Sequence, residues 1–203
     1  MENSEYNKPT HEFLIDFANK TGRTAYYTET AYPTFISQPT AHHKRTIYIP
    51  NNEKGTSFLI AFNDPKSLSE NNLFFGAFTP INVPTSKSLF IRKKDVVDKI
   101  NPFKKNKINS NGTEHFNAQT YISAQDEAFV SKTLTNISMQ NNILECLNLQ
   151  NTMNVEINIL NLDFVPNFKN ISHIGLFTRL HWITDEAMIE AFFTKAEAFR
   201  NHL

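Results

Sequence analysis

Hydrophobic and polar positions are most regularly ordered between Asn111 and Asn161. Asn111-Gly112 marks a turn, because both residues tolerate positive φ. From Phe116 to Ser123 the chain alternates, with Phe116, Ala118, Thr120 and Ile122 on one side, which predicts a half-buried strand. Ser123 and Asp126 stand at capping-box spacing, so a helix is expected from Ala124, with Phe129, Val130 and Leu134 on its apolar side. Ser138 caps a second helix, reaching to about Leu149, whose stripe is Met139, Ile143, Leu144 and Leu147. Beyond it Val155, Ile157 and Ile159 alternate with Glu156, Asn158 and Leu160, the pattern of another strand.

Elsewhere the pattern is coarser. Pro9-Thr10 opens a helix with Phe13, Leu14, Phe17 and Ala18 inward, ending near Gly22. Thr24 to Thr30 predicts a strand, and Lys44 to Ile49 with Thr56 to Asn63 predicts a hairpin around a longer loop. Phe58 to Phe62 is apolar on both faces and is expected at the sheet centre. Lys66 to Asn72 reads as a polar loop, and Leu73 to Phe78 and Ser88 to Arg92 as short strands. At the end of the chain Thr184 caps a helix with Asp185 and Glu186 in its first turn. Met188, Phe192, Ala196 and Phe199, widened by Ile189 and Phe193, face inward, whereas Glu190, Glu197 and Arg200 face water. The fold expected is α+β: a twisted, mainly antiparallel sheet covered on one side by helices, with a C-terminal amphipathic helix. Residues 1–203 suit one such domain, and a division into sub-lobes at about 10–108 and 109–203 stays open.

Composition narrows the class. Hydrophobic content of 40% with 18 Phe marks a folded protein, and Lys+Arg 20 against Asp+Glu 20 leaves no global field that would draw it to nucleic acid. The single cysteine, Cys146, excludes an intrachain disulfide. An acidic, polar start and the lack of a long apolar window point to a cytoplasmic protein. Sequons at Asn19, Asn111, Asn136 and Asn170 are what so Asn-rich a chain supplies by chance.

Candidate chemistry is sparse. His42-His43 point to opposite sides of a strand, and neither His11-Glu12 nor Glu114-His115 belongs to a metalloprotease pattern. His173 and His181 flank an apolar run beside Trp182 and could line a pocket. The acid pairs Asp126-Glu127 and Asp185-Glu186 stand where helix caps explain them, and no nucleophile elbow, Gly-rich phosphate loop or metal spacing occurs. No catalytic residue, metal or cofactor is therefore assigned. One charge feature stands out: Arg92, Lys93, Lys94, Lys99, Lys104, Lys105 and Lys107, against Asp95 and Asp98, interleaved with Val96, Val97, Ile100 and Phe103. Such a segment suits an anionic membrane surface or a phosphorylated ligand, or else a solvated loop that keeps a sheet edge soluble.

The run Asn111-Gly112-Thr113-Glu114-His115-Phe116-Asn117, with Ser123 to Ala128, Leu134-Thr135 and the helix through Leu147, resembles a family of uncharacterised bacterial domains. There a Gly-acid-x-x-Phe-Asp turn leads into a strand and two short helices; this chain has Thr113 and Asn117 at the two acidic positions. The resemblance implies frequent membrane association, supplies no activity and transfers no catalytic residue.

Two functions are expected on these grounds. The first is a non-enzymatic binding or interaction module of a bacterial protein, partnered by a protein, a second copy or an anionic membrane surface through Arg92 to Lys107, and peripheral to the inner membrane. The alternative is a small hydrolase-like enzyme with an irregular site among His42, His43, His173 and His181.

Overall fold

Eight strands form one antiparallel sheet in the order β1-β2-β3-β4-β8-β7-β5-β6. They are β1 Tyr26–Tyr32, β2 His42–Pro50, β3 Phe58–Asn63, β4 Leu73–Pro80, β5 Leu89–Lys93, β6 Thr120–Ala124, β7 Asn154–Ile157 and β8 His173–Thr178. The α-helices described in full are α1 Thr10–Lys20, α2 Glu114–Gln119, α3 Glu127–Leu134, α4 Ile137–Asn148 and α5 Glu186–Arg200. This computed structural model describes residues 9–32, 42–63, 73–96, 98 and 111–201. The expected α+β fold with a helix-covered face is what it shows; the loop expected at Lys66 to Asn72 lies outside the described residues.

Residues in register across the sheet share a face, and the two faces are packed differently. One carries Ile47, Leu59, Ala77, Leu176, Val155 and Ile91, and it joins the helices in the main core. Helix α5 crosses β4, β8 and β3 and touches α4 alongside it. The opposite face carries Phe58, Ile60, Phe74, Phe78 and Phe177 in a second core, covered by Leu162, Val165 and Phe168 from residues 158–172. We call that segment the strap. Gly76 and Gly175 make room for this aromatic layer: Gly76 is paired with Phe177, and Gly175 with Phe78.

Several boundaries differ from expectation. Residues 116–119, expected to open a strand, instead belong to α2, because Thr113 caps it by accepting from the Phe116 N–H and is itself held by the Gln140 side chain. The strand then begins at Thr120. Asp126, not Ser123, caps α3 by accepting from the Phe129 N–H at 2.9 Å. Asn136, not Ser138, caps α4 through the N–H groups of Ser138 and Met139. Asp185, not Thr184, caps α5 through the Met188 N–H at 2.8 Å. In each case the winning residue carries a side-chain amide or carboxylate oxygen that reaches the free first-turn amides. The apolar run after Ser172, not foreseen as a strand, is β8, buried along its whole length.

Glu190 and Glu197, expected to face water, tie α5 to the sheet end. Arg23, 5% exposed, lies between the Phe17 and Phe193 rings and donates to Asn51 Oδ1 at 2.8 Å and to Glu190 at 2.6 and 2.8 Å. Glu197 accepts from the Ser57 N–H at 2.6 Å and from Thr56 Oγ1 at 3.3 Å. A guanidinium drawn into an aromatic layer needs a carboxylate, and that requirement pulls the supposed solvent face of α5 onto the β2–β3 loop.

Two predictions follow from this packing. A Cβ on Gly175 would lie 2.3 Å from the Phe78 ring and 2.4 Å from the Ala77 carbonyl oxygen. Gly175→Ala should therefore lower stability in urea unfolding by about 1–3 kcal/mol. Acid should also weaken the fold. Lys87 and the helix cap hold the Asp126 carboxyl below the usual range. Burial pushes Glu197 up, but the donors of Ser57 and Asn51 outweigh it and bring it down. A carboxylate with a lowered folded-state pKa contributes stability above its unfolded value and loses it as the pH falls through the folded one. Thermal unfolding should thus stay level near neutrality and decline below about pH 4.5, and an Asp126→Asn, Glu197→Gln variant should decline less.

Candidate functional site

The strap is fastened to the sheet by a buried acid. Glu156, in the middle of β7, is 0% exposed and faces the second core. Its register partners Phe90 and Gly175 leave space for it, since Gly175 has no side chain. Glu156 Oε2 accepts from the N–H groups of Ile159 and Leu160, the latter at 3.1 Å. Alternation sets Glu156 on the side of its strand opposite Val155 and Ile157, and the fold buries that side as well. The chain turns sharply at Asn158, with φ of 52°, and brings two strap amides down onto the carboxylate. Asn158 locks that turn: its side-chain amide donates to the Lys87 carbonyl at 2.8 Å and to Ser172 Oγ at 3.1 Å, and its Oδ1 accepts from the His173 N–H at 2.9 Å.

His173 opens β8 beside this acid. Its Nε2 is 3.1 Å from Glu156 Oε1, in contact but not aligned as a hydrogen bond. Phe78 and Phe168 meet the imidazole edge to face, with centroids at 5.8 and 5.6 Å. Both ring nitrogens are buried without a hydrogen-bond partner among the described residues. Here a cleft of about 360 Å³ opens between the strap and Thr85, with His173 in its lining.

On the other side of the strap, where β5 ends and β7 begins, a wider cleft of about 480 Å³ is lined by Arg92, Lys93, Lys94, Asp95, Asn154 and Arg179 among others. Of the basic residues singled out by sequence, Arg92, Lys93 and Lys94 meet there. Lys99, Lys104, Lys105 and Lys107 lie outside the described residues. Arg92 is held in place: it forms a forked pair with Asp98 at 2.5 and 2.9 Å and lies over the Tyr121 ring. That guanidinium keeps the Asp98 carboxyl far below the usual carboxylate range. Lys94 donates to the Asn117 carbonyl at 2.6 Å, and Lys93 is exposed. Arg179, which sequence reasoning passed over, joins them from the end of β8, above the Phe74 and Phe177 rings. Nothing local marks it; only the pairing of β7 with β8 brings it across.

The histidines do not share a site. The backbone of His42 and His43 pairs with Tyr32 and Ala31 next to the sheet edge. His181 lines a separate cleft with His11 and Trp182. Cys146 is fully buried in α4, and burial pushes its thiol well above the usual range, which suits packing and not nucleophilic work. No group of three metal-ligating side chains occurs among the described residues. Comparison of the chain with protein families, with curated proteins and with solved structures finds no match, so the site rests on its geometry.

The strap's dependence on Glu156 is testable by unfolding. Glu156→Ala leaves the Ile159 and Leu160 amides without their acceptor, and stability should fall by about 3–5 kcal/mol; Glu156→Gln, which keeps one oxygen, should lose roughly half as much.

Proposed function

We propose that the chain is a non-enzymatic binding module that works at an anionic membrane surface, with the strap side of the sheet as its contact face. The observation that carries this reading is the cleft where Lys93, Lys94 and Arg179 converge with exposed apolar residues at its margin. Leu180, 46% exposed, lines it, and Val96, 67% exposed, follows Asp95. Cationic heads beside protruding apolar side chains suit the headgroup boundary of an acidic bilayer, where lysine and arginine supply attraction and Leu or Val supplies shallow burial. Further exposed apolar residues, Ile159, Phe164 and Ile171, project from the strap on that same side. No described helix is long and apolar enough to cross a membrane, so attachment in this reading is peripheral. The enzymatic alternative keeps only His173 with Glu156, because the other imidazoles lie in different parts of the fold.

Co-sedimentation with vesicles tests this. The protein should partition onto phosphatidylserine-containing vesicles in a salt-sensitive manner and not onto pure phosphatidylcholine. Each neutralised cation removes about 1 kcal/mol, so Lys93→Gln with Arg179→Gln should weaken partition about thirtyfold. Equal binding to neutral vesicles, or no effect of the double substitution on a folded protein, would contradict the proposal.

A further inference from the structure

The basic cleft has a shape and a charge balance that diffuse attraction to acidic lipid leaves unused. Arg92, Asn154 and Phe177 stand in one row across β5, β7 and β8. Strand β7 begins at Asn154, and the chain before it turns at Thr152, with φ of 63°. The chain at the ends of β5 and β8 therefore runs past the start of β7, with Lys94 and Arg179 each two residues beyond that row, and the cleft is the notch between them. Two strand spacings set its walls about 10 Å apart, which leaves room for one phosphate group between facing side chains.

The acids of the notch are already engaged. Asp98 holds Arg92 in its forked pair. Asp95, the one acid in the lining among the described residues, accepts from the Asp98 N–H at 2.7 Å and lies 3.6 Å from Arg92 Nη1. Lys93 and Arg179 pair with no carboxylate among the described residues, and Lys94 gives one of its three donors to the Asn117 carbonyl. Four cations against two acids leave an excess of two charges, which matches a phosphate monoester near neutrality, whereas a diester carries one. The Arg179 guanidinium lies 5.9 Å from the centroids of both Phe74 and Phe177. Those rings back its flat face and leave its fork of N–H donors for two oxygens of one phosphate.

We infer that the notch is a binding site for a phosphate monoester, with Arg179 donating to two of its oxygens and Lys93 and Lys94 neutralising its charge. The inference rests on the cationic cleft of the membrane reading and names the group it takes: a terminal phosphate, carried by a lipid headgroup or by a soluble molecule. Diester phosphates within a headgroup layer carry one charge and are flanked by substituents on both sides, so they do not fill such a notch.

Two arms test this on the whole chain. Methyl phosphate and dimethyl phosphate are titrated while the Arg179 Nε–H and the Asn154 side-chain amide are followed in NMR spectra. A saturable shift is expected with the monoester at concentrations on the order of 1 mM, and at least about tenfold weaker binding with the diester. Arg179→Gln, at an exposed position, should weaken the monoester about tenfold, while Lys132→Gln, on α3 and outside the cleft, should leave it unchanged. In the second arm, phosphatidylcholine vesicles containing phosphatidic acid or phosphatidylserine are matched in surface charge. A preference of about tenfold for phosphatidic acid that methyl phosphate competes away assigns the group to a lipid; saturation by methyl phosphate without that preference assigns it to a soluble molecule. No saturable shift with methyl phosphate, an equal response to dimethyl phosphate, or equal losses from Arg179→Gln and Lys132→Gln would each overturn the inference. Salt-sensitive partition onto phosphatidylserine that persists in those cases leaves the membrane reading standing, and its absence beside a methyl phosphate shift removes the membrane reading alone.

Discussion

A sheet with apolar side chains on both faces must be covered on both, and this requirement organises the molecule. Helices α1, α4 and α5 supply one cover, and the strap supplies the other, with Leu162, Val165 and Phe168 packed on the Phe74, Phe78 and Phe177 layer. Between Ile159 and Ile171 the backbone hydrogen bonds within the strap are local turns, such as Phe168 N–H to the Val165 carbonyl, and do not themselves join it to the sheet. The anchor is Glu156, a carboxylate taken wholly out of water and compensated by two strap amides, with the His173 ring beside it. A buried acid is costly by itself, and its retention here is accounted for by the loop it fixes.

The anchor also shapes the surface. Because the strap crosses only the middle of the sheet, the ends of the second face stay open as clefts: His173 beneath the strap on one side, the basic cleft at the ends of β5 and β8 on another. A third, lined by the stacked Tyr26 and Tyr48 with Phe62 and Phe164, lies over β1 to β3. Among the exposed apolar residues, Ile159, Phe164 and Ile171 are on the strap and Leu180 follows β8, while Val96 and Ile137 stand at helical positions and Tyr26 on the edge strand.

Much of the scaffold was legible in the sequence because periodicity reports burial directly. The stripes of α1, α4 and α5 and the hairpin of β2 and β3 follow from it; the two-sided apolar run at Phe58 to Phe62 is expected inside the sheet, but the second cover it requires was not foreseen. What escaped were consequences of distant pairing. Glu156 alternates with Val155 and Ile157, and only the return of the strap buries it. Arg23 finds Glu190, and Arg179 finds Lys93, through partners far away in the chain. Helix starts were misplaced by a few residues where serine or threonine competed with a nearby Asp or Asn for the same amides.

The most direct test is residue-resolved hydrogen exchange of the wild-type protein and of Glu156→Ala. If the buried carboxylate holds the strap, the Ile159, Leu160 and Phe168 amides should be protected in the wild type. In the variant they should exchange much faster, while amides of β3 and β4 stay slow. Strap amides that exchange at the rate of open loops in the wild type, or that keep their protection once Glu156 is gone, would contradict the account.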